Sequence, residues 1–379
     1  MKNLFRGQTI SLVTCGLILS STMSFGADSI DAAFKEGKAS GSLALYGEKY
    51  DYKGGDKDTG FGNGNATVAF ETGSFYGLSA KAEFKGNLKL GEVEHNDHDN
   101  AYLNNSLMTE AYIKYATEGF SLTAGRQAID LEWLGDYNEA VVAAITAIPD
   151  TTIVLGFANR QAESGIDLSE DFEDINDNKG AYVLDVKYAG FDGIELNPYF
   201  YTAPDALDWY GLKATFTTDY FGAIAHYAAS SVDSSIAGTF DDDGNLIDDG
   251  YIGHVELNTE VAGLSAAVGY IKTDKDGGVG LMDVAGDNIN PFDDGNYVYV
   301  ADAKTVYGSL GYTIADVELG ALYGQTTYGS NDDKESELNL TAAYPITETL
   351  TASILYGDVN AEVSGDDYNK VLASVEYTF

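Results

Sequence analysis

From about residue 39 onward, apolar and polar side chains alternate with a period of two in segments of roughly ten residues, separated by clusters of Gly, Asp and Asn. Leu338, Leu340, Ala342 and Tyr344 interleave with Glu337, Asn339, Thr341 and Ala343, and Val371, Ala373, Val375, Tyr377 and Phe379 interleave with Lys370, Ser374, Glu376 and Thr378. Earlier, Leu78, Ala80, Ala82, Phe84, Leu88 and Leu90 alternate with Ser79, Lys81, Glu83, Lys85, Asn87 and Lys89. One face is apolar and the other charged. The pattern predicts eighteen strands, beginning near Ala39, Asn63, Leu78, Leu107, Phe120, Ala140, Thr151, Gly180, Ile194, Trp209, Gly222, Tyr251, Leu264, Lys304, Val317, Lys334, Leu350 and Asp367.

The connections alternate in length. Short turns fall at 73–77, 117–119, 149–150, 190–193, 262–263, 315–316 and 345–349; longer acidic stretches fall at 51–62, 91–106, 130–139, 163–179, 232–250, 273–303 and 358–366. Short turns at one end and long loops at the other are the asymmetry of a transmembrane antiparallel β-barrel, and an even strand count puts both termini on the short-turn side. The fold predicted is all-β, a barrel over 39–379 with residues 27–38 as a periplasmic lead. Beyond residue 26 no apolar run approaches the roughly 18 residues a membrane helix needs. Tyr46, Tyr115, Tyr188, Phe200, Phe216, Tyr270, Tyr312, Tyr344 and Tyr377 stand near strand ends on the apolar register, where interfacial girdles place amphipathic rings. A soluble β-protein would use the same rings as core, and would need no detergent.

Composition sharpens this. The 379 residues carry 60 Asp and Glu against 21 Lys and Arg, a formal charge of -39, which excludes a phosphate-binding nucleic-acid surface. With 44% hydrophobic and 12% aromatic residues and only 5 Pro, the charge does not signal disorder. Lys2 and Arg6, the apolar run Thr9–Leu19 and the exit Ser24-Phe25-Gly26-Ala27 read as a signal peptide over 1–26. The single cysteine, Cys15, lies inside it; lipidation there is disfavoured because the apolar run continues past it. Removal of the segment takes two basic residues and no acid, leaving -41.

The strand ending in Phe379 resembles the terminal aromatic signature read by the outer-membrane assembly machinery. Ala33-Phe34-Lys35-Glu36-Gly37-Lys38-Ala39-Ser40-Gly41 resembles the lead-in to the first strand of the OprD-like porins, and Leu122-Thr123-Ala124-Gly125-Arg126-Gln127 is similar to that family's strand before its constriction loop. The resemblance implies an outer-membrane channel for small solutes, surrounded by lipid and lipopolysaccharide, narrowed by an inward-folded third loop, and assembled as a homotrimer. This chain is short for that group, so selectivity for basic amino acids is not carried over.

The face opposite the apolar one assigns the wall. Its charges are Glu71, Lys81, Glu83, Lys85, Lys89, Glu110, Lys114, Arg160, Asp185, Lys187, Glu195, Lys213, Glu256, Glu318, Glu337, Lys370 and Glu376, eight basic and nine acidic. Basic residues lead through the tenth strand and acids thereafter, a transverse arrangement that would orient polar solutes. The remaining acidity belongs to loops and mouths, which favours cationic solutes. Loop 130–139 is the expected constriction, setting Asp130, Glu132, Asp136 and Glu139 against Arg126 and Arg160. Strict alternation from Phe120, Leu122 and Ala124 would aim Arg126 at lipid, at a cost of about 2–4 kcal/mol. Either Gly125 forms a bulge that turns it inward, the preferred reading, or the strand has left the membrane.

Other chemistry is sparse. Asp241, Asp243 and Asn245 resemble part of a calcium loop but lack the spacing and bidentate Glu of an EF-hand, so a solvated acidic loop is the default. His95 and His98 are too few for a metal site. No Ser–His arrangement suggests an enzyme, and no cofactor is expected. The function read from the sequence is passive diffusion of small polar solutes and ions across the outer membrane, with cation preference. A surface adhesin or structural barrel with a plugged lumen is the alternative.

Overall fold

The computed structural model describes residues 26–239, 246–362 and 367–379. The signal peptide up to residue 25 and the calcium-loop residues Asp241, Asp243 and Asn245 lie outside the described residues. The strands are β1 (Lys38–Tyr52), β2 (Thr59–Glu71), β3 (Leu78–Glu92), β4 (Ser106–Thr117), β5 (Phe120–Ala128), β6 (Tyr137–Ile145), β7 (Thr151–Ala162), β8 (Glu173–Asp174), β9 (Ala181–Phe191) and β10 (Ile194–Ala203). They continue with β11 (Leu207–Thr217), β12 (Gly222–Val232), β13 (Tyr251–Val261), β14 (Leu264–Thr273), β15 (Lys304–Ile314), β16 (Val317–Tyr328), β17 (Asp333–Thr347), β18 (Leu350–Ala361) and β19 (Tyr368–Thr378). A short helix α1 (Ile30–Lys35) precedes β1, α2 (Asp97–Ala101) lies between β3 and β4, and a 3-10 turn covers Met282–Ala285.

Each strand pairs antiparallel with its successor, except that β7 passes directly to β9 through Thr151↔Tyr188 to Ala158↔Ala181. The two-residue β8 attaches only to the end of β7, through Arg160↔Asp174 and Gln161↔Glu173. β19 returns to β1 from Ser42↔Thr378 to Tyr52↔Tyr368, so eighteen strands close a barrel. The expected strands are all present, and Leu78, Phe120, Thr151, Ile194, Gly222, Tyr251, Leu264, Lys304, Val317 and Leu350 open theirs where the alternation placed them. The largest offset is β2: Thr59-Gly60-Phe61-Gly62 reads as loop, but backbone pairing with Tyr50, Lys49, Glu48 and Gly47 extends the strand regardless of side-chain propensity.

The turns at one end are tight. Ala315 and Asp316 both adopt positive φ (48° and 65°), the geometry of a two-residue hairpin whose twist matches its strands.

Period-two alternation decides the two faces. Leu43 and Leu45 are exposed while Ala44 and Tyr46 are buried; Leu184 and Tyr182 are exposed while Val183 and Asp185 are buried. Tyr115, Phe200, Phe216, Tyr270, Tyr312, Tyr344 and Tyr377 project outward as expected. Tyr46 does not: it shares the inward register with Glu48, to which its hydroxyl donates at 2.8 Å. Its parity, opposite to that of Leu43 and Leu45, fixes this: a ring on a strand is a girdle residue only on the outward register.

The interior is not an empty cylinder. Residues 129–136 and 274–303 fold against the inner wall, and their apolar side chains form a single cluster with it. Trp133, Leu134, Val279, Met282, Ile289 and Phe292 pack with Tyr199, Tyr201, Trp209, Ile252, Ile271 and Tyr307.

Candidate channel lumen

One row of charges crosses four strands at a single level. Cross-strand pairing places Arg126 opposite Glu139, Glu139 opposite Arg160, and Arg160 opposite Asp174. The Arg126 guanidinium holds Glu139 at 2.8–2.9 Å, Arg160 reaches the same carboxylate at 3.5 Å, and Asp174 closes the row at 3.2 Å from Arg160 Nε. Alternating signs at registered positions neutralise each other along the row.

The orientation of Arg126 follows from where β5 leaves its neighbour. β4 and β5 pair only as far as Ala111↔Arg126, whereas β4 continues along β3 to Ser106↔Gly86. The upper edge of β4 is therefore free, and its Met108 carbonyl accepts Arg126 Nη1–H at 3.1 Å. The guanidinium also lies 4.2 Å over the Phe172 ring, which packs with Leu107. Leu107 stands opposite the inward Lys85, so the row turns toward the lumen rather than outward. The expected bulge in β5 is absent: its pairing with β4 and β6 runs unbroken through Gly125. The register shifts lie one ladder further out on each side, between β3 and β4 and between β6 and β7, where Thr109 and Asn159 are the skipped residues. Gly125 contributes differently, with φ +127° and a backbone so close to β4 that a Cβ would lie 2.2 Å from the Ala111 carbonyl oxygen.

Beside this row, Lys81 contacts both Glu110 and Glu83, the latter at 3.3 Å, and Thr109 Oγ1–H donates to Glu83 at 2.9 Å. Lys85 is buried and donates to Ser164 Oγ at 2.8 Å and to the carbonyls of Gly165 and Leu168, pinning segment 163–170 against β3. Lys89, nearer the rim, pairs with Glu92 and Asp99.

Loop 129–136 is held from the opposite wall. Trp133 is fully buried; its indole N–H donates to Tyr199 Oη at 2.8 Å, and Tyr199 in turn lies 2.7 Å from His226 Nε2. Lys213 pairs with the buried Glu132 at 2.7 Å. Of the four acids expected in the constriction, Glu132 and Glu139 are paired, on different walls, and Glu139 belongs to β6 rather than to the loop. Asp130 and Asp136 are exposed and join neither group; Asp136 takes positive φ (59°) at the turn into β6, and its carbonyl receives the Ile129 N–H.

The larger intrusion is segment 274–303, within the stretch 273–303 that reads in the sequence only as a long acidic loop. Lys370, whose side chain has no solvent exposure, projects from β19 to Asp293 and Asp294, the second at 2.5 Å. Glu337 accepts the backbone N–H groups of Asp294 (3.1 Å) and Gly295 (2.8 Å), and Asn296 donates to Glu335 at 2.9 Å. Burial pushes the Asp293 carboxyl above the ordinary range, against the opposing pull of Lys370. The same segment bonds to the smaller loop: Gly135 N–H and Gln161 Nε2–H both reach the Ala285 carbonyl, and Asn288 Nδ2–H reaches that of Leu131. The available signal was the apolar series Val279, Met282, Ala285, Ile289, Phe292 and Val298 inside an otherwise polar stretch.

Glu256 accepts from Tyr307 at 2.6 Å, and Tyr307 also lies 2.9 Å from His254 Nε2. Lys114, Lys187 and Glu318 are half-buried wall positions outside these networks. His98 is structural, stacked on Tyr102 with ring centroids 4.6 Å apart. Among the described residues no group of three or more His, Cys, Asp or Glu is placed to hold a metal ion.

The fold has solved counterparts. The chain superposes on OccAB1 of Acinetobacter baumannii with a TM-score of 0.75 at 13% identity, covering 92% of this chain and 97% of that one. OccK8 (OprE) of Pseudomonas aeruginosa gives 0.73 at 15%, over 92% and 99%, and a BenF-like porin from Pseudomonas fluorescens Pf-5 gives 0.74 at 13%, also over 92% and 99%. At these identities the likeness is one of fold. No protein-family model matches the chain, and no curated protein matches it.

Proposed function

We propose that this protein is an outer-membrane porin through which small polar solutes and ions diffuse passively, with a preference for cations. The observation that carries the reading is the segregation across a closed wall: an apolar, ring-bearing exterior around eighteen strands, and registered ionic rows with inward-folded loops inside. In a bilayer the exterior satisfies hydrocarbon while closure leaves no strand edge unpaired, and a barrel of this strand number is wide enough for an aqueous path. The structural counterparts, porins by name, support the same assignment. Cation preference is supported by the formal charge of -39, most of which falls outside the nearly balanced wall. The test is conductance and reversal potential in a planar bilayer under a salt gradient. Discrete steps are expected, with a cation-selective potential at 0.01 M salt that weakens at 1 M as the Debye length falls from about 30 Å to about 3 Å. A folded preparation that gives no steps removes the channel reading; anion selectivity at low salt removes only the cation preference.

A further inference from the structure

We propose that α1 is an interfacial anchor whose Ile30–Phe34 edge lies in the hydrocarbon of the periplasmic leaflet; this rests on the outer-membrane reading. Ile30 and Phe34 are one helical turn apart on one face and are 61% and 57% exposed. Beside this edge the helix is tied to the barrel: Ala33 is buried and its carbonyl accepts the Gly73 N–H at 2.8 Å. Ser29 caps the helix by accepting the Ala32 N–H at 3.1 Å, so the edge is presented by a fixed element.

What that edge meets is set by its neighbours. The Phe34 ring stacks on Phe70, with centroids 6.2 Å apart and planes at 18°. Phe70 follows Val68 on the outward register of β2, and both are exposed, so Phe34 prolongs the lipid-facing wall rather than a periplasmic surface. On the adjoining seam the Phe379 ring covers Gly41, whose Cβ would lie 2.9 Å from Phe379 Cζ, and Leu43 is exposed one outward position further along β1. Asp31 and Lys35 are exposed as the polar flank of the helix. Two large apolar side chains continuous with a hydrocarbon-facing wall and bordered by charges fit a membrane boundary.

The test uses the full barrel in phospholipid vesicles and the fluorescence of F34W, with I30W as a second reporter on the same edge. The native Trp133 and Trp209 are buried in the barrel interior and set the background. Lipids brominated on their acyl chains are expected to quench the added F34W signal at least twofold, with little quenching by aqueous iodide. Dominant iodide quenching would overturn the anchor in favour of a water-facing helix, and insensitivity to both would overturn it in favour of coverage by a second copy. L340W, at an outward position in mid-wall, separates the two readings: if it is quenched by brominated lipid and F34W is not, only the anchor fails, and if neither is quenched the membrane reading fails.

Discussion

Replacing Lys370 by Met should release segment 274–303 from the wall. The side chain is fully buried, and its ammonium is the cation facing Asp293 and Asp294, with Glu337 and Glu335 close behind on β17. Met matches the length of the stem and removes the charge, leaving two buried carboxylates without their counter-ion. Breaking a buried pair from one side costs about 3–5 kcal/mol, which is roughly two to nearly four powers of ten in the docked-to-released ratio. That is comparable to what the packing of one buried ring such as Phe292 supplies, so the segment should spend a measurable fraction of time undocked. Single-channel recordings of K370M should show larger and noisier steps than wild type, and limited proteolysis should cut within 274–303 while the barrel stays heat-modifiable on gels. The triple variant K370M/D293N/D294N removes charge from both sides, and should recover most of the wild-type step size because no uncompensated carboxylate remains. Equal steps in K370M and wild type would refute the reasoning, as would a triple variant no better than the single one.

Three other outcomes follow from the same geometry. W133A removes the buried anchor of loop 129–136 at a cost of about 3–5 kcal/mol, and should raise conductance; unchanged conductance would show that this loop does not narrow the path. R126M leaves Glu139 paired with Arg160 alone, and because the row is partly exposed the stability cost should be only about 1 kcal/mol, while the reversal potential shifts toward cations; a shift toward anions would contradict the inward placement of the row. For Asp293, burial raises the folded carboxyl above its unfolded value, so the docked segment binds more protons than the released one and its stability rises as pH falls through that interval. Conductance should decrease as pH is lowered from neutrality toward the ordinary carboxylate range, and D293N should remove that dependence; an identical pH profile in the variant would exclude Asp293 as its source.

The wall was readable because a barrel imposes one rule on every strand. Alternation places Leu184 outward and Asp185 inward with no knowledge of partners, and it located ten strand starts to the residue. It failed where a second influence overrides side-chain period. Thr59–Gly62 is drawn into β2 by the backbone of β1, and Tyr46 was judged by ring type instead of by its parity with Leu45. Arg126 exposed a different limit: parity alone placed it outward, and only the early end of the β4–β5 ladder shows where that face is aimed. The loops were least legible. Lys370 is recognisable as a wall charge, but its partners, Asp293 and Asp294, come from a distant segment whose path no local pattern encodes.

The seam between β1 and β19 joins the first strand of the barrel to the last, so the contact that completes the wall is also the one most distant in sequence. Every intermediate short of it carries two open rows of N–H and C=O groups, which hydrocarbon penalises by several kcal/mol for each unsatisfied group. Partial barrels are therefore not stepping stones within the bilayer, and folding is tied to the presence of β19. Loss of Tyr368–Thr378 would not trim one strand from eighteen; it would leave β1 and β18 as sticky edges and turn the chain toward association with its own copies.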